Sequence, residues 1–438
     1  MSDVLVIGAG PDELVAARLL QQAGHRVTVV QEHALHDRVD GWAPAQLGGL
    51  QTTRPDPWLR TNDGLELFAD VQRSAQSIGR LSARDAQRWP EFCERMARLA
   101  GLLEKIYLQA PPSLIDLRFA LRVRRLGRRG MEDLMRVLPM PASELLDEWF
   151  ESDILKGALC AFAVRDLQQG PRSAGTAFRL LHAHVGSPRG VFRPGTVDVA
   201  PLRSGLTMRE AQVARIDVRG GAVSGATLAN GETLPATIVV AGAHPGRVLG
   251  ELVEPGWIDP DLVRAARRIR SRGVAARARL ELERAPQWPT LTLAGTADDV
   301  ERAYDAVKYG RISERPVIDA VADGAALDVH LQFVPHTAAD TADIQARLVK
   351  VLQPHVPPIR RVSVRTPVDL ERTYGWPQGQ PHHAELSLDQ ALWMRPLPEL
   401  AGYKTPVAGL WLCGPAMHPG AGVIGAAGYN CARAMQKS

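Results

Sequence analysis

The first 31 residues restrict the fold more than any other part of the chain. Residues 4–7 are a continuous apolar run typical of a buried strand, residues 14–20 have helical apolar spacing, and residues 27–30 start a second strand. Gly8 and Gly10 lie in the turn between the first strand and the helix. This order is typical of a dinucleotide-binding unit, in which the first glycine makes the turn and the second lets the backbone approach a pyrophosphate.

The last 30 residues contain a second glycine loop. Residues 409–413 are a short apolar run that predicts a buried strand, and four glycines between residues 420 and 428 precede small residues that begin a helix. A glycine loop at a helix N-terminus is suited to an anion such as a pyrophosphate, or to close approach of an electron-rich ring. The alternative is a tight turn that is packed for steric reasons only.

The two ends together resemble the phytoene-desaturase-like branch of the FAD-dependent oxidoreductases, of the pyridine nucleotide-disulphide oxidoreductase domain 2 type. The turn GAGPDELVAA is similar to that family's N-terminal motif, and GLWLCGPAMHPGAGVIG is similar to its C-terminal segment. Further similar stretches are residues 138–150, 170–176, 299–316, 383–396 and 403–406. The similarity therefore extends over most of the chain.

The resemblance implies an α/β fold, with a Rossmann-like FAD/NAD(P)-binding domain and a discontinuous α+β substrate or cap domain. It places the dinucleotide-binding domain in residues 1–64, 190–254 and 368–438, and the cap in residues 65–189 and 255–367. It also implies FAD as the cofactor and no metal. The residues that it assigns to FAD are Gly8, Gly10, Pro11, Gln31, Glu32, Val213, Gly414, Gly420, Gly422 and Val423.

Three positions depart from the family's motif. Glu13 replaces the third glycine of the turn, where the helix packs closely against the strand beside the pyrophosphate. Gln31 aligns with the acid that binds the ribose hydroxyls, and Asp40 aligns with the first glycine of a Gly-Gly pair. Glu13 and Asp40 would each put a negative charge near the two phosphates, at a cost on the order of 1 to 4 kcal/mol each, so we expect weakened FAD binding.

Two features of the sequence could compensate for these changes. Gly48-Gly49 could replace the Gly-Gly pair if the loop is rebuilt, and nearby arginines could pair with either acid. The arginines close in sequence are Arg18, Arg26, Arg38, Arg54 and Arg60.

Other patterns predict the framework around the site. Residues 213–218, 222–228 and 232–240 predict strands joined by turns at Gly220-Gly221 and Asn230-Gly231. The remaining predictions are cap strands at residues 274–282 and 327–334, a helix at 341–352, and a helix that starts near Ser82. Compared with the family, the loop at 42–64 and a helix expected within 190–205 are shortened.

Composition limits the class of protein. No run approaches the roughly 18 to 20 apolar residues of a membrane span, and Met1 leads directly into a core strand rather than a signal peptide, which predicts a cytoplasmic protein. The four cysteines, which are too far apart in sequence for a CxxC pair, are expected to be buried thiols: Cys93, Cys160, Cys413 and Cys431. The net charge of +4 does not by itself indicate nucleic acid, and none is expected as a partner.

Residues 114–129 combine an apolar helical face with six arginines. A basic amphipathic helix can lie on an anionic membrane surface, which would suit an enzyme with a lipid-like substrate. The alternative is a core helix with a solvated arginine face. The sequence therefore predicts a small-molecule substrate, and leaves peripheral membrane contact and the oligomeric state open.

Candidate reactive groups are few. His383 and His418 match histidines of the family, and His418 is expected near the isoalloxazine ring. Because histidine titrates near neutral pH, both could accept or relay a substrate proton, but both could equally only hold loops by hydrogen bonds. His382 and Glu385 are lesser candidates.

Two functions follow from these observations. The resemblance implies FAD-dependent dehydrogenation or desaturation of a hydrophobic or conjugated small molecule, and the C-terminal His-Pro-Gly sequence favours this function. The altered motif and the shortened segments favour an alternative, a descendant that has lost normal FAD binding and acts as a non-redox isomerase or cyclase, or as a binding or assembly protein.

Overall fold

A computed structural model describes residues 2–33, 37–47, 49–111, 127–336 and 340–437. The basic segment at 114–126 and Gly48 therefore lie outside the described residues. The strands are β1 (Asp3–Ile7), β2 (Arg26–Gln31), β3 (Arg38–Gly41), β4 (Thr52–Thr53), β5 (Leu59–Arg60), β6 (Glu66–Leu67), β7 (Gly195–Asp198), β8 (Thr207–Glu210), β9 (Val213–Arg219), β10 (Ala222–Leu228), β11 (Thr233–Pro235), β12 (Ile238–Ala241), β13 (Ala275–Leu282), β14 (Thr290–Leu293), β15 (Val317–Asp323), β16 (Ala326–Gln332), β17 (Ile359–Arg365) and β18 (Leu410–Leu412).

The helices of eight residues or more surround these strands. They are α1 (Pro11–Gln22), α2 (Val71–Ile78), α3 (Ala83–Tyr107), α4 (Gly127–Val137), α5 (Ala142–Trp149), α6 (Asp153–Ala163), α7 (Thr176–His184), α8 (Pro260–Arg267), α9 (Ala297–Lys308), α10 (Thr341–Leu352), α11 (Pro367–Tyr374) and α12 (Ala426–Met435).

A parallel sheet carries both ends of the chain. Its strand order is β18-β12-β1-β2-β8, and β1 pairs in parallel with both β12 and β2. The four apolar residues of β1 after Asp3 are buried, as expected for a strand covered on both faces. Gly8 leaves β1 with φ +104° and donates to Val30 O at 2.8 Å, and α1 starts two residues later. The fold is thus α/β with a Rossmann-like parallel sheet, as predicted.

A second, antiparallel sheet belongs to the cap. Its order is β14-β15-β16-β13-β17, and its pairs are antiparallel throughout. The side chains of β13 alternate between buried and partly exposed along much of the strand, so one face packs against α10 and the other is left for polar side chains. That polar face lines the cleft described below.

Apolar side chains pack into three buried clusters. The first surrounds the parallel sheet, the second is formed largely by α3, α5, α6 and α7, and the third lies against the cap sheet. Clusters of this kind mark separate cores. The predicted boundaries between the domains stay a prediction, because residues near Trp58 and Leu386 pack in the second cluster with cap helices.

Most local predictions from sequence are confirmed. The β9-β10 hairpin turns at Gly220-Gly221, both with positive φ, and the predicted cap strands and the helix at 341–352 are β13, β16 and α10. The helix expected within 190–205 is reduced to a single turn of 3-10 helix at Ala200–Arg203. All four cysteines are buried and unpaired. Among the described helices, none is both long and apolar enough to cross a membrane.

Candidate binding cleft

A cleft of about 790 Å³ lies between the parallel sheet and the polar face of the cap sheet. Its floor is the end of β1, the start of α1 and the end of β12, and its opposite wall comes from β13, β15, β16 and β17. In parallel α/β sheets, ligands bind beyond the carboxyl ends of the strands. The volume lies within the range of small-molecule sites.

Glu13 fills the floor of the cleft, where Gly8, Gly10 and Gly242 form a glycine cradle. A β-carbon on Gly10 would lie 2.6 Å from Glu13 Oε2, one on Gly8 would lie 3.2 Å from Glu13 Cγ, and one on Gly242 would overlap Oε1. Glu13 is the third residue of α1, from which a glutamate can reach back to the amide of the residue before the helix. The cradle that the sequence assigns to a pyrophosphate thus encloses a carboxylate of the chain itself.

Burial changes the acidity of this carboxylate and of its neighbour. Burial raises the pKa of Glu13 from 4.5 to about 8, and the adjacent Asp12 adds to that shift, while the amides of Glu13 and Gly10 oppose it. Burial also raises the pKa of Asp12, to about 7, although its side chain accepts from the Ala427 amide at 3.1 Å. Glu13 Oε2 has no hydrogen-bond partner among the described residues. Glu13 is therefore largely protonated at neutral pH, and Asp12 is partly protonated.

The residues present do not fit an FAD pyrophosphate in this cradle. A bound pyrophosphate would need the first amides of α1 as hydrogen-bond donors and the open space beside the glycines. The Glu13 side chain already occupies both. No arginine or lysine pairs with Glu13 in the part of the chain that the structure describes. The cause that the structure gives for weakened binding at Glu13 is therefore steric, whereas the sequence predicted a repulsion of charges.

An acid does line the cleft near the end of β2, where the family has its ribose-binding acid. It is Glu32, one residue later than the aligned position. Glu32 lines the cleft, whereas Gln31 ends β2 and pairs with Glu210 of β8. Glu32 accepts two bonds from Arg247, at 2.8 and 2.9 Å, and one from the Val213 amide at 2.9 Å. Glu32 and Val213 thus lie together, and Arg247 takes the oxygens that would face a ribose.

The negative charge of Asp40 is paired with arginines, but these are not the arginines nearest to it in sequence. Arg165 contacts its carboxylate at 3.0 Å and Arg277 at 3.5 Å. Burial alone would raise the pKa of Asp40, but these two charges lower it. The expectation that Asp40 opposes phosphate as an unpaired charge is therefore wrong. The five arginines considered from sequence bond elsewhere: Arg18 to Pro201 O, Arg26 to Asp3, Arg38 to Asp323, Arg54 to Ser187 Oγ and Arg60 to Glu66.

Asp166 is the centre of the cap side of the cleft. His330 Nε2 donates to its Oδ1 at 2.9 Å, Arg277 lies 3.5 Å from the same oxygen, and His382 Nε2 lies 4.0 Å from Oδ2. Burial would raise the pKa of Asp166, but His330 and the arginines hold it well below its usual range. Burial in turn lowers the pKa of His330 to about 4, so the imidazole is neutral and its Nε2 carries the proton.

The C-terminal loop closes the cleft at the other end. Gly422 and Val423, two of the residues assigned to FAD, line it, and Pro11 lines it from α1. Trp42 bridges to this loop, because its amide donates to Gly422 O at 2.8 Å and its carbonyl accepts from the Ile424 amide at 2.9 Å. The two other glycines assigned to FAD do not line the cleft: Gly414 packs on Gly242 O, and Gly420, with φ +101°, packs against Leu386 and Arg395.

The two histidines proposed as reactive groups lie in different places. His383 lines the cleft and its Nδ1 has no partner, whereas His418 is fully buried with Nε2 3.2 Å from Ile106 O. Burial lowers the pKa of His383 to about 3 and that of His418 to about 4. Both are neutral at pH 7 and are weak bases, so the argument from titration near neutral pH is wrong for this state.

The two lesser candidates also differ in their surroundings. Glu385 is fully buried and accepts from Arg272 Nη2 at 2.8 Å, which makes it part of an ion pair rather than a free base. His382 lines the cleft and has no partner at either ring nitrogen among the described residues.

Among the charged residues that line the cleft, acids outnumber arginines. Nine carboxylates and six guanidinium groups face the cleft, a formal excess of three negative charges when all are ionised. The acids are Asp12, Glu13, Glu32, Asp37, Asp40, Asp166, Asp319, Asp323 and Asp328, and the arginines are Arg38, Arg165, Arg247, Arg277, Arg279 and Arg365. Most of the exposed surface of the lining is nevertheless apolar, so the cleft combines charged groups with apolar walls.

Sequence reasoning missed the cap residues of the cleft, above all Arg165, Asp166, Arg277 and His330. They come from the end of α6 and from β13 and β16, far from the glycine motifs. The only available signal was the alternation of charged and apolar residues in residues 275–282, which marks one polar face but not what it faces.

Comparison with known proteins agrees with the fold and the motifs. The chain is 26% identical to rat (Rattus norvegicus) pyridine nucleotide-disulfide oxidoreductase domain-containing protein 2, over 98% of this chain and 92% of the relative. The chain is thus similar over nearly its whole length to an oxidoreductase of the type that the sequence motifs indicate. No protein-family model matches the chain.

Two further relatives widen the comparison. A limonene dehydrogenase component from Castellaniella defragrans is 23% identical over 98% of this chain and 94% of its own length. A solved triple mutant of putrescine oxidase superposes with a TM-score of 0.64 over 100% of this chain and 98% of that chain, at 13% identity, which shows the shared fold alone. The alignment with the rat protein runs over 536 positions, whereas this chain has 438 residues, so the relative has segments that this chain lacks.

Proposed function

We propose that this protein binds a small polar molecule in the cleft and does so without FAD in the family's usual pose. One observation carries the proposal: the Glu13 carboxylate fills the cradle formed by Gly8, Gly10 and Gly242. The ion pairs around Asp40 and Asp166 support it, because they form a polar wall opposite that floor. The protein would then act as a non-redox enzyme or as a binding protein.

The residues of this chain would have defined tasks in such a site. Neutral His382 offers one donor and one acceptor to a ligand, and neutral His383 offers Nδ1 as an acceptor. Asp166 holds His330 and Arg277 in place, and Arg247 fixes Glu32 at the wall. The preorganised ion pairs keep these groups oriented, so that little is lost in ordering them when a ligand enters.

The test is the visible spectrum of the purified protein, followed by titration with added FAD. We expect a colourless protein and no saturable FAD binding in the micromolar range. Glu13→Gly should strengthen FAD binding by about tenfold or more, since it removes the steric block. Glu13→Gln keeps the volume and cannot ionise, so weak binding by this variant would assign the block to volume.

Asp40→Gly is the matched control. Because Asp40 is paired with Arg165 and Arg277, its removal should not improve FAD binding. Stoichiometric FAD in the parent protein, or unchanged FAD affinity after Glu13→Gly, would overturn the proposal.

A second candidate is FAD-dependent dehydrogenation or desaturation of a hydrophobic or conjugated small molecule. It is favoured by the cleft itself, which still extends from Gly10 to Val423, and by the full-length similarity to the limonene dehydrogenase component. For this function Glu13 has to leave the cradle, which its neutral form does at lower cost than its charged form. A flavin spectrum in the purified protein would make this candidate the leading one.

Contact with an anionic membrane through the basic segment 114–129 is a separate proposal that rests on sequence alone. Its test is co-sedimentation with vesicles of phosphatidylserine and phosphatidylcholine, compared with phosphatidylcholine alone. Binding that needs the anionic lipid and falls with salt would support it. Equal partition with both vesicles would contradict it.

A further inference from the structure

Asp166 has one carboxylate oxygen to which no described residue donates a hydrogen bond. Its side chain lines the cleft and is 6% exposed, and its Oδ1 accepts from His330 Nε2 at 2.9 Å. Arg165 Nε lies 3.9 Å from Oδ2, which is beyond hydrogen-bond distance. Because buried carboxylate oxygens normally accept hydrogen bonds, Oδ2 has room for a donor that a ligand would supply.

His382 is a second polar group of the cleft without a partner. Its side chain lines the cleft, the residue is 6% exposed, and neither ring nitrogen has a hydrogen-bond partner among the described residues. Burial lowers the pKa of His382 to about 3, so the ring is neutral and has one donor and one acceptor. Two unpartnered polar groups thus belong to the same wall.

The two groups are close enough to share one ligand atom. His382 Nε2 lies 4.0 Å from Asp166 Oδ2, which is too far for a direct hydrogen bond. An oxygen atom that is about 2.8 Å from both atoms fits this separation. Such an oxygen would donate its proton to the carboxylate and accept the proton of the imidazole N–H.

Gln380 holds the backbones of both residues. Its side chain is fully buried, its Nε2 donates to Asp166 O at 2.9 Å, and its Oε1 accepts from the His382 amide at 3.3 Å. The Asp166 amide in turn donates to Gln332 Oε1 at 2.9 Å. The distance between the carboxylate and the imidazole is therefore set by buried side chains of the protein before any ligand enters.

The backbone of Asp166 is strained. Its φ is +59°, in the left-handed region that residues other than glycine rarely adopt, although aspartate tolerates it better than most. A conformation of this kind persists where the surrounding structure imposes it, and it is enriched at ligand sites. Gln332 and Gln380 impose it here, so the strain is a further indication that the position of this carboxylate has a function.

The charges around Asp166 select the kind of ligand group. Arg277 Nη2 lies 3.5 Å from Oδ1, and Arg165 is next to Oδ2, so the carboxylate already has two cations beside it. A ligand ammonium would bring a third positive charge to the same place, and a ligand carboxylate or phosphate would oppose Asp166 itself. A neutral group with one O–H avoids both costs.

We propose that Asp166 and His382 form a subsite for the hydroxyl group of a small alcohol. The hydroxyl donates to Asp166 Oδ2 and accepts from His382 Nε2, which makes the first of the two bonds charge-assisted. The rest of the alcohol lies in the cleft, whose apolar surface includes Leu370 and Trp376. The subsite rests on the proposed binding function of the cleft and names its ligand class.

The test compares alcohols with the matching ketones on the full-length protein. The probes are cyclohexanol and 1-phenylethanol, with cyclohexanone and acetophenone as controls, and affinity is measured by isothermal titration calorimetry at pH 7. A ketone accepts from His382 but has no proton for Asp166. We therefore expect each alcohol to bind about tenfold more tightly than its ketone.

Three variants assign the effect to the two side chains. Asp166→Asn should abolish the preference, since its amide can donate to a ketone as well as accept from an alcohol. His382→Phe should weaken both kinds of probe by about threefold or more, because both accept its N–H. Asp328→Asn is the matched control: Asp328 lines the same cleft, is 55% exposed and pairs with Arg279, so the preference should change by less than about twofold.

The outcomes separate the subsite from the proposed function. Equal binding of alcohols and ketones, as expected of a pair that binds only water, would show that the subsite is wrong while binding in the cleft stands. The same holds if folded Asp166→Asn keeps the preference. If no probe binds up to about 10 mM, the subsite is also wrong. Stoichiometric FAD in the parent protein is the separate result that overturns the proposed function.

Two further results decide the remaining cases. Cyclohexylamine should bind more weakly than cyclohexanol, because of the two arginines beside Asp166. Tighter binding of the amine that is lost in Asp166→Asn would assign the subsite to an ammonium group and overturn the assignment to a hydroxyl. If Asp166→Asn does not fold, His382→Phe decides, because unchanged affinity for both kinds of probe would exclude the subsite.

Discussion

The two sides of the cleft bury carboxylates in opposite ways. On the floor, Asp12 and Glu13 have no cationic partner, and burial raises their pKa values to about 7 and 8. On the cap side, Asp319 is equally buried, but Arg193 and Arg165 overcome the effect of burial and lower its pKa to about 2. Burial alone therefore does not decide whether an acid in this protein is charged, and the supply of arginine does.

This difference assigns different tasks to the two sides. The floor acids are neutral fillers that close the family's anion site, and they cost little while protonated. The cap acids are permanent charges that hold arginines in fixed positions. A ligand therefore meets a neutral floor and an ionic wall.

The largest expected effect is on the pH dependence of stability. The folded-state pKa of Glu13 is raised from 4.5 to about 8, so the folded protein binds more protons than the unfolded chain between these values. The stability that protonated Glu13 contributes is fully present below pH 4.5 and is lost as the pH rises through 8. That loss amounts to at most about 5 kcal/mol.

Glu13→Gln should flatten this profile, although Asp12, whose shift has the same sign, keeps part of the slope. The measurement is urea denaturation from pH 5 to 9, with Glu91→Gln, an exposed glutamate of α3, as the control. A profile that is identical in the parent and in Glu13→Gln would show that Glu13 is not buried in the cradle.

The second prediction concerns the buried ion pair between Arg193 and Asp319 on the cap side of the cleft. Arg193→Met leaves Asp319 buried with Arg165 alone, and breaking a buried pair costs about 3 to 5 kcal/mol. Urea denaturation at pH 7 should show this loss. Arg279→Met, which removes an arginine that is 43% exposed, should lose less than about 1 kcal/mol. Equal losses for the two variants would contradict the role of burial.

The smallest effect concerns Asp40, whose side chain is 43% exposed. Its folded-state pKa is lowered by Arg165 and Arg277, so its contribution is present above the unfolded value of 3.8 and is lost as the pH falls below it. Asp40→Asn should lose about 1 kcal/mol at pH 7, and progressively less as the pH falls below 3.8 and through the lowered folded-state pKa. A loss of stability that grows toward low pH would show that the folded-state pKa of Asp40 is raised, as it is for Asp12 and Glu13, rather than lowered.

The framework was readable from sequence because its signals are local. The apolar run of β1, the glycine turn at Gly8 and the hairpin at Gly220-Gly221 each depend on residues close along the chain. Glu13 was also recognised as out of place in the motif. Its position inside the cradle was not, because that depends on where Gly242, at the end of β12, meets the start of α1.

The sequence by itself determined the α/β framework, the family resemblance and the altered residue of the glycine turn. Only the tertiary structure decided which charges are paired. Arg165 lies 125 residues from Asp40, and Arg277 lies 237 residues from it, so the compensation of Asp40 could not be read from neighbouring residues. Coulomb interactions act through space, and their strength is set by distance and burial rather than by separation along the chain.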